Sequence, residues 1–194
     1  MNVASYALTD VGRRRTENED GFVADEEVGL FAVCDGMGGH AAGEIASSLA
    51  LEIIRKEVRS NTRILRALAA DASGQHRAAA VELMERAVQR ACREIYRMAE
   101  NDPSKRGMGT TCAALLVAGG KGVIAHVGDS RIYLLRNNQL HQLTEDHTLV
   151  QTQLKQGVIT PDQAETSPFR NVITRAVGIQ ESVQVDTLLT DILP

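Results

Sequence analysis

LFAVCDGMGGHAAGE, residues 30–44, runs five apolar or small residues straight into Asp35 and then places Gly36, Gly38 and Gly39 within four positions. The apolar run reads as a strand, and GEIASSLALEIIRKEV, which follows at residues 43–58, has the period of an amphipathic helix. A strand, a bare loop and a helix in that order admit two readings. Gly36, Gly38 and Ala41 fit the loose form of a dinucleotide fingerprint. Against it, Asp35 would set a negative charge on the pyrophosphate, where the site should offer only amides and positive potential. The other reading makes Asp35 a metal ligand, aimed by the strand end, with the Gly36 carbonyl free to approach the same ion.

Composition narrows the field. The chain has 194 residues, 43% hydrophobic and 24% charged, which suits one soluble domain with a sizeable core. A net charge of −4 gives no ground for sequence-independent nucleic-acid binding. MNVASYALTDVG lacks the basic and apolar regions of a signal peptide, and CAALLVAGG is far too short to span a bilayer. Cys34, Cys92 and Cys112 are odd in number and contain no CxxC pair. That argues against a disulfide framework and a zinc site, and fits a cytoplasmic protein. Aromatic residues make up only 3%, with no Trp, so stacking platforms are not expected.

A second amphipathic helix is expected over residues 78–100, with Val81, Met84, Val88, Ala91, Cys92, Ile95 and Met98 on its buried stripe. ADASGQH, between the two helices, reads as a loop or interruption. Beyond NDPSKRGMG the period changes to two: TTCAALLVA, GVIAHVG, RIYLLR and QLHQLT are short strands split by GG, GDS and NN, an antiparallel meander. In the less regular stretch that follows, Val150 and Leu154 suggest a short helix. Thr160, Pro161 and Gln163 spell the start of another, with a capping box. VQVDTLLTDIL resumes a strand-like alternation. Such hairpins contradict the βαβ crossovers that a dinucleotide fold needs.

Other acids share the placing of Asp35. Glu19 and Asp20 stand just before the strand-like GFVADEE, and Asp129 lies in the tight turn of HVGDSR. Each alone would pass for a solvated turn residue. Three clusters at strand ends, without Cys or well-spaced His, favour a hard ion such as Mg²⁺ or Mn²⁺.

TDVGRRRTENEDGF, AVCDGMGGHAAGE, GTTCAALL, AHVGDSRIYLLR and LTEDHTLVQ…VITRAVG occur in that order. Together they resemble the PPM family of metal-dependent protein serine/threonine phosphatases in its bacterial form, from about Tyr6 to the end of the chain. The resemblance implies an α+β fold, two antiparallel β-sheets packed face to face and flanked by helices, with residues 1–194 as one phosphatase-like domain. It implies hydrolysis of phosphoserine and phosphothreonine on proteins, with a cognate serine/threonine kinase as partner and neither nucleic acid nor membrane. The cofactors implied are two Mn²⁺ or Mg²⁺ ions and a third, weaker one. Two such ions about 3.5–4 Å apart hold a bridging hydroxide that attacks phosphorus directly, without a phosphoenzyme.

Residue by residue, the resemblance makes Asp35 the bridging ligand and Gly36 a carbonyl ligand. Glu19 and Asp20 act directly or through water, Asp129 helps to hold the third ion, and Arg15 clamps the substrate phosphate. Arg13 and Arg14 read as solvated charges. Some family members carry a histidine directly after the Asp-Gly pair to protonate the leaving oxygen. Met37 occupies that position here, so the acid is either His40 or a metal-bound water. His126 and His141 read as ordinary sheet residues and His147 as a helix cap. Residues 145–167 correspond to a flap bordering the active site. The family's last strands, which carry two further aspartate ligands, have no counterpart, and Asp186 and Asp191 read as structural. The expectation is a catalytic domain cut short, with low activity of its own. The alternative is a non-catalytic phosphatase-like binding module, and a nucleotide-binding protein is a distant third.

Overall fold

The computed structural model describes residues 3–39 and 41–192. It is an α+β arrangement with two antiparallel sheets, as the sequence leads one to expect. The larger sheet begins with the hairpin of β1 (Asp20–Asp25) and β2 (Leu30–Met37). Gly29 closes it at φ 74°, and a Cβ there would stand 2.2 Å from the Val117 carbonyl oxygen, so only glycine fits. Along β2 the sides alternate. Leu30, Ala32, Cys34 and Gly36 turn inward, while Val33 and Asp35 face the open side of the sheet. The strand is thus buried on one face only, and its terminal carboxylate belongs to the other.

The inward face is covered by α1 (Ala42–Ser60) and α3 (Gly74–Asn101). Ala46, Ala50, Ile54 and Val58 of α1 meet Leu83, Met84, Ala87, Val88, Ala91 and Ile95 of α3 in one core, all fully buried. Each large side chain there stabilises the fold by roughly 1.5–3 kcal/mol through burial. Between them lies α2 (Thr62–Ala70), an element that the sequence reading did not mark. It buries only Leu65 and Leu68, too few for a periodic stripe to show.

Next come β3 (Gly109–Thr110), β4 (Cys112–Ala118) and β5 (Lys121–Val127). Gly119 and Gly120, at φ 57° and 77°, make the tight turn between β4 and β5. The hairpin β6 (Tyr133–Arg136) with β7 (Gln139–Gln142) turns on Asn137 and Asn138, at φ 51° and 59°. The simple meander does not hold. β6 and β7 form the second, two-stranded sheet, and the free edge of β5 pairs instead with β8 (Asp186–Asp191). Gly128, at φ 105°, turns the chain out of the first sheet at the end of β5. Arg136 then ties the hairpin back, donating to the carbonyls of Asp191 at 2.7 Å and Ile192 at 2.9 Å.

Residues 145–176 lie between β7 and β8. They carry α4 (Leu149–Lys155) and α5 (Pro161–Thr166). The capping box of α5 is complete: Gln163 N–H donates to Thr160 Oγ1 at 3.3 Å, and Thr160 N–H to Gln163 Oε1 at 2.8 Å. The excursion is closed at its base. Leu149 N–H donates to the Val172 carbonyl at 2.9 Å, and Thr174 N–H to the His147 carbonyl at 2.7 Å.

Candidate metal centre

The β1–β2 ladder sets Asp20 directly opposite Asp35. Cross-strand partners share a face, so the two carboxylates meet on the open side of the sheet. Both are held from behind. Asn18 Oδ1 accepts the Asp20 N–H at 3.1 Å, and Asn18 Nδ2 donates to Thr9 Oγ1 at 2.7 Å, tying the N-terminal segment to the start of β1. The Gly36 N–H donates to the Glu19 carbonyl at 3.0 Å.

The start of α1 sits hard against this crossing. A Cβ on Gly36 would stand 2.0 Å from the Gly43 carbonyl oxygen, and one on Gly43 would stand 2.1 Å from Glu19 Oε1. Glycine at both positions lets helix and strand ends touch backbone to backbone. Ser47 adds a bond from its hydroxyl to the Glu19 carbonyl at 2.7 Å.

Glu19 lies with Oε2 3.3 Å from Arg15 Nη1, in an ion pair whose arginine side chain stays largely exposed. Its Oε1 is buried and has no hydrogen-bond partner among the described residues. A cavity of about 290 Å³ opens over Asp20 and Asp35, bordered by Thr9, Asp10 and Ser130. Asp35 is pushed up to about 6, first by loss of hydration at the strand end and next by the charge and hydrogen bonding of Asp20. Asp129, in the turn after β5, adds to the push, and Arg15 opposes it. Crowded carboxylates and a buried orphan oxygen are what a hard, oxygen-seeking cation would relieve. The described residues fit such an ion, although no three His, Cys, Asp or Glu side chains among them form a ready-made cluster.

The sequence-derived residues are thus brought together in part. Asp20 and Asp35 face each other, Gly36 and Glu19 adjoin them, and Arg15 and Asp129 are near enough to act on Asp35 electrostatically. His40 lies outside the described residues. Sequence reasoning missed Thr9, Asp10 and Asn18, whose local signals are two turns closed by a side chain: Asp10 Oδ1 accepts the Gly12 N–H at 2.8 Å, as Asn18 Oδ1 accepts the Asp20 N–H. His147 does not cap α4. Thr148 does, accepting the Gln151 N–H at 3.2 Å, while His147 is buried and accepts the Gly128 N–H at 3.0 Å on Nδ1. Asp186 serves structure, holding Arg175 at 2.8 Å and His147 at 3.1 Å.

Known proteins resemble this chain throughout. The model of the family described as protein phosphatase 2C matches residues 12–173. The serine/threonine phosphatase stp of Listeria welshimeri is 38% identical over 184 residues, spanning 93% of this chain and 69% of that protein. Among solved structures, the Mycobacterium tuberculosis serine/threonine phosphatase PstP/Ppp superposes with a TM-score of 0.78 at 36% identity, over 93% of this chain and 69% of that one. The PstP catalytic domain in complex with two manganese ions does so at 0.74 and 34% identity, over 93% and 68%. The order of the motifs, the paired acids on the open sheet face and these likenesses agree: the chain belongs to the protein phosphatase 2C family, the metal-dependent phosphatases that its motifs resemble.

Proposed function

We propose that this chain hydrolyses phosphoserine and phosphothreonine on proteins, with Mn²⁺ or Mg²⁺ held by Asp35, Asp20, the Gly36 carbonyl, Glu19 and Asp129. The register that sets Asp20 against Asp35 carries the reading. Two facing carboxylates, one of them held at about 6, are a poor arrangement without a cation. The names of the relatives and the manganese complex of PstP support the same assignment. When bound, such ions supply a nucleophilic hydroxide at neutral pH and offset charge on the departing oxygen.

The chain's own residues do the rest. Arg15 engages Glu19 through one N–H and keeps others of its planar fork for phosphate oxygens. Glu19 thereby holds one edge of the guanidinium beside the acids. His40 is one candidate to protonate the departing oxygen, and a water on the ion is the other. Cys34 takes no part: its thiol is buried on the helix side of β2, where the neighbouring Cys112 and then desolvation raise its pKa. Residues 145–167 form a flap that selects among phosphoproteins, and a cognate serine/threonine kinase is the matching partner. Three buried, unpaired cysteines support a cytoplasmic setting. Among the described residues no helix is long and apolar enough to cross a membrane.

The test is hydrolysis of a phosphothreonine peptide with Mn²⁺, with Mg²⁺ and with chelator. Turnover with either ion and none with chelator is expected, and metal-independent hydrolysis would defeat the assignment. A second reading, a phosphatase-like binding module, draws on the lack of a complete acid cluster among the described residues. Phosphopeptide binding without turnover in any metal would favour it.

A further inference from the structure

Thr111, from the GTTCAALL motif, stands where the ladder between β2 and β4 gives out. The register that pairs Leu30 with Leu116 and Val33 with Ala113 continues to set Thr111 opposite Asp35. The Thr111 N–H donates to the Asp35 carbonyl at 2.9 Å. A regular antiparallel pair would return the bond from the Asp35 N–H to the Thr111 carbonyl. Here the Asp35 N–H donates to the Thr111 side chain instead, reaching Oγ1 at 2.9 Å. The Thr110 hydroxyl lies 3.0 Å from both the Thr111 and the Asp35 carbonyl oxygens and shares its one proton between them.

The same Thr111 Oγ1 lies 2.7 Å from Ser130 Oγ, and Ser130 follows Asp129 directly in the turn after β5. That turn is pressed against the threonine, since a Cβ on Gly128 would stand 2.6 Å from Thr111 Cγ2. Thr111 is only 2% exposed, so water does not compete for its hydroxyl. A hydroxyl can accept the Asp35 N–H and still exchange a proton with Ser130. One oxygen therefore holds the Asp35 backbone on one side and the Asp129 turn on the other.

We propose that Thr111 is a positioning residue, fixing the spacing of Asp35 and Asp129 and thereby setting cation affinity. This rests on the reading of both acids as cation ligands given above. Valine keeps the shape of threonine but offers no acceptor, whereas serine keeps the hydroxyl. Groups that orient ligands from behind typically change metal affinity about 10–100-fold when removed.

Calorimetric titration with Mn²⁺ of the full chain and of Thr111→Val, Thr111→Ser, Ser130→Ala and Asp35→Asn tests this, with circular dichroism in chelator to show that each variant folds. Thr111→Val is expected to weaken Mn²⁺ about 10–100-fold. Thr111→Ser should stay within about threefold of wild type, and Ser130→Ala should fall between the two. If Thr111→Val fails to fold, Thr111→Ser and Ser130→Ala decide, and a Ser130→Ala that binds as wild type overturns the inference. A folded Thr111→Val with wild-type affinity overturns it alone, provided that Asp35→Asn loses binding. A wild-type chain that takes up no Mn²⁺ overturns both this inference and the cation reading of the site.

Discussion

Arg59 closes on Asp25 with two parallel hydrogen bonds, Nε to Oδ2 at 2.6 Å and Nη2 to Oδ1 at 3.0 Å. Arg55 adds a third at 2.7 Å, and the aspartate side chain is only 3% exposed. This cluster clamps the end of β1 to α1, at the far end of the strand from Asp20.

Its expected consequence is acid sensitivity. Arg59 first, with help from Arg55, holds Asp25 at about 2 against the cost of its burial, below an ordinary aspartate near 3.8. A carboxylate with a depressed pKa stabilises the fold above its unfolded value, and that contribution is lost as pH falls toward 2. Asp25→Asn should therefore cost about 1–3 kcal/mol at pH 7. The gap to wild type should narrow between about pH 5 and pH 2. Urea unfolding at several pH values checks this, and a gap that does not change with pH would refute it.

Asp35→Asn is expected to act in opposite directions with and without metal. In chelator at pH 8 it removes the repulsion with Asp20, so the melting temperature should rise slightly. With Mn²⁺ present the wild type should be stabilised and the variant should not. Turnover of the variant should fall by at least about 100-fold. Thermal melts in both conditions check the sign, and equal Mn²⁺ stabilisation of the two proteins would contradict the assignment.

Arg15→Ala should leave the cation site intact and damage substrate binding. Among the described residues its guanidinium pairs with Glu19 and acts on Asp35 through its field. KM for a phosphothreonine peptide should rise by roughly tenfold or more, with kcat less affected. Mn²⁺ calorimetry should be nearly unchanged, and loss of metal binding would show that the arginine has another role.

Gly36→Ala should be costly before any chemistry is considered. Its Cβ would meet backbone, the Gly43 carbonyl oxygen at 2.0 Å, which cannot yield without moving α1. A destabilisation of about 3 kcal/mol is expected, the upper end of ordinary overpacking. Denaturant unfolding in chelator measures it apart from metal binding.

The two long helices were legible because their buried stripes repeat over many turns, from Ala46 to Val58 and from Leu83 to Ile95. Residues 61–70 were not, since two buried leucines set no period. The Thr160 capping box was readable because it is wholly local, whereas the β5–β8 pairing joins segments about 60 residues apart and leaves no nearby mark. Likewise the sequence puts Asp20 and Asp35 at strand ends, but only the register sets them face to face. The supports behind them, Asn18 and Thr111, are short polar side chains of a kind that also fills turns and strand edges. Their part depends on which backbone N–H each one meets.

Between β7 and β8 the chain makes an excursion whose feet, His147 and Thr174, are joined by one backbone hydrogen bond. An excursion whose two feet stand side by side is topologically free: residues can be added, removed or exchanged beyond Leu149 and Val172 without altering the span that the framework must bridge. Asp20 and Asp35 are set against each other by a different element, the register of the β1–β2 hairpin. Under the flap role proposed above, selectivity can therefore change by exchanging one closed excursion, while the two acids keep a hairpin of their own.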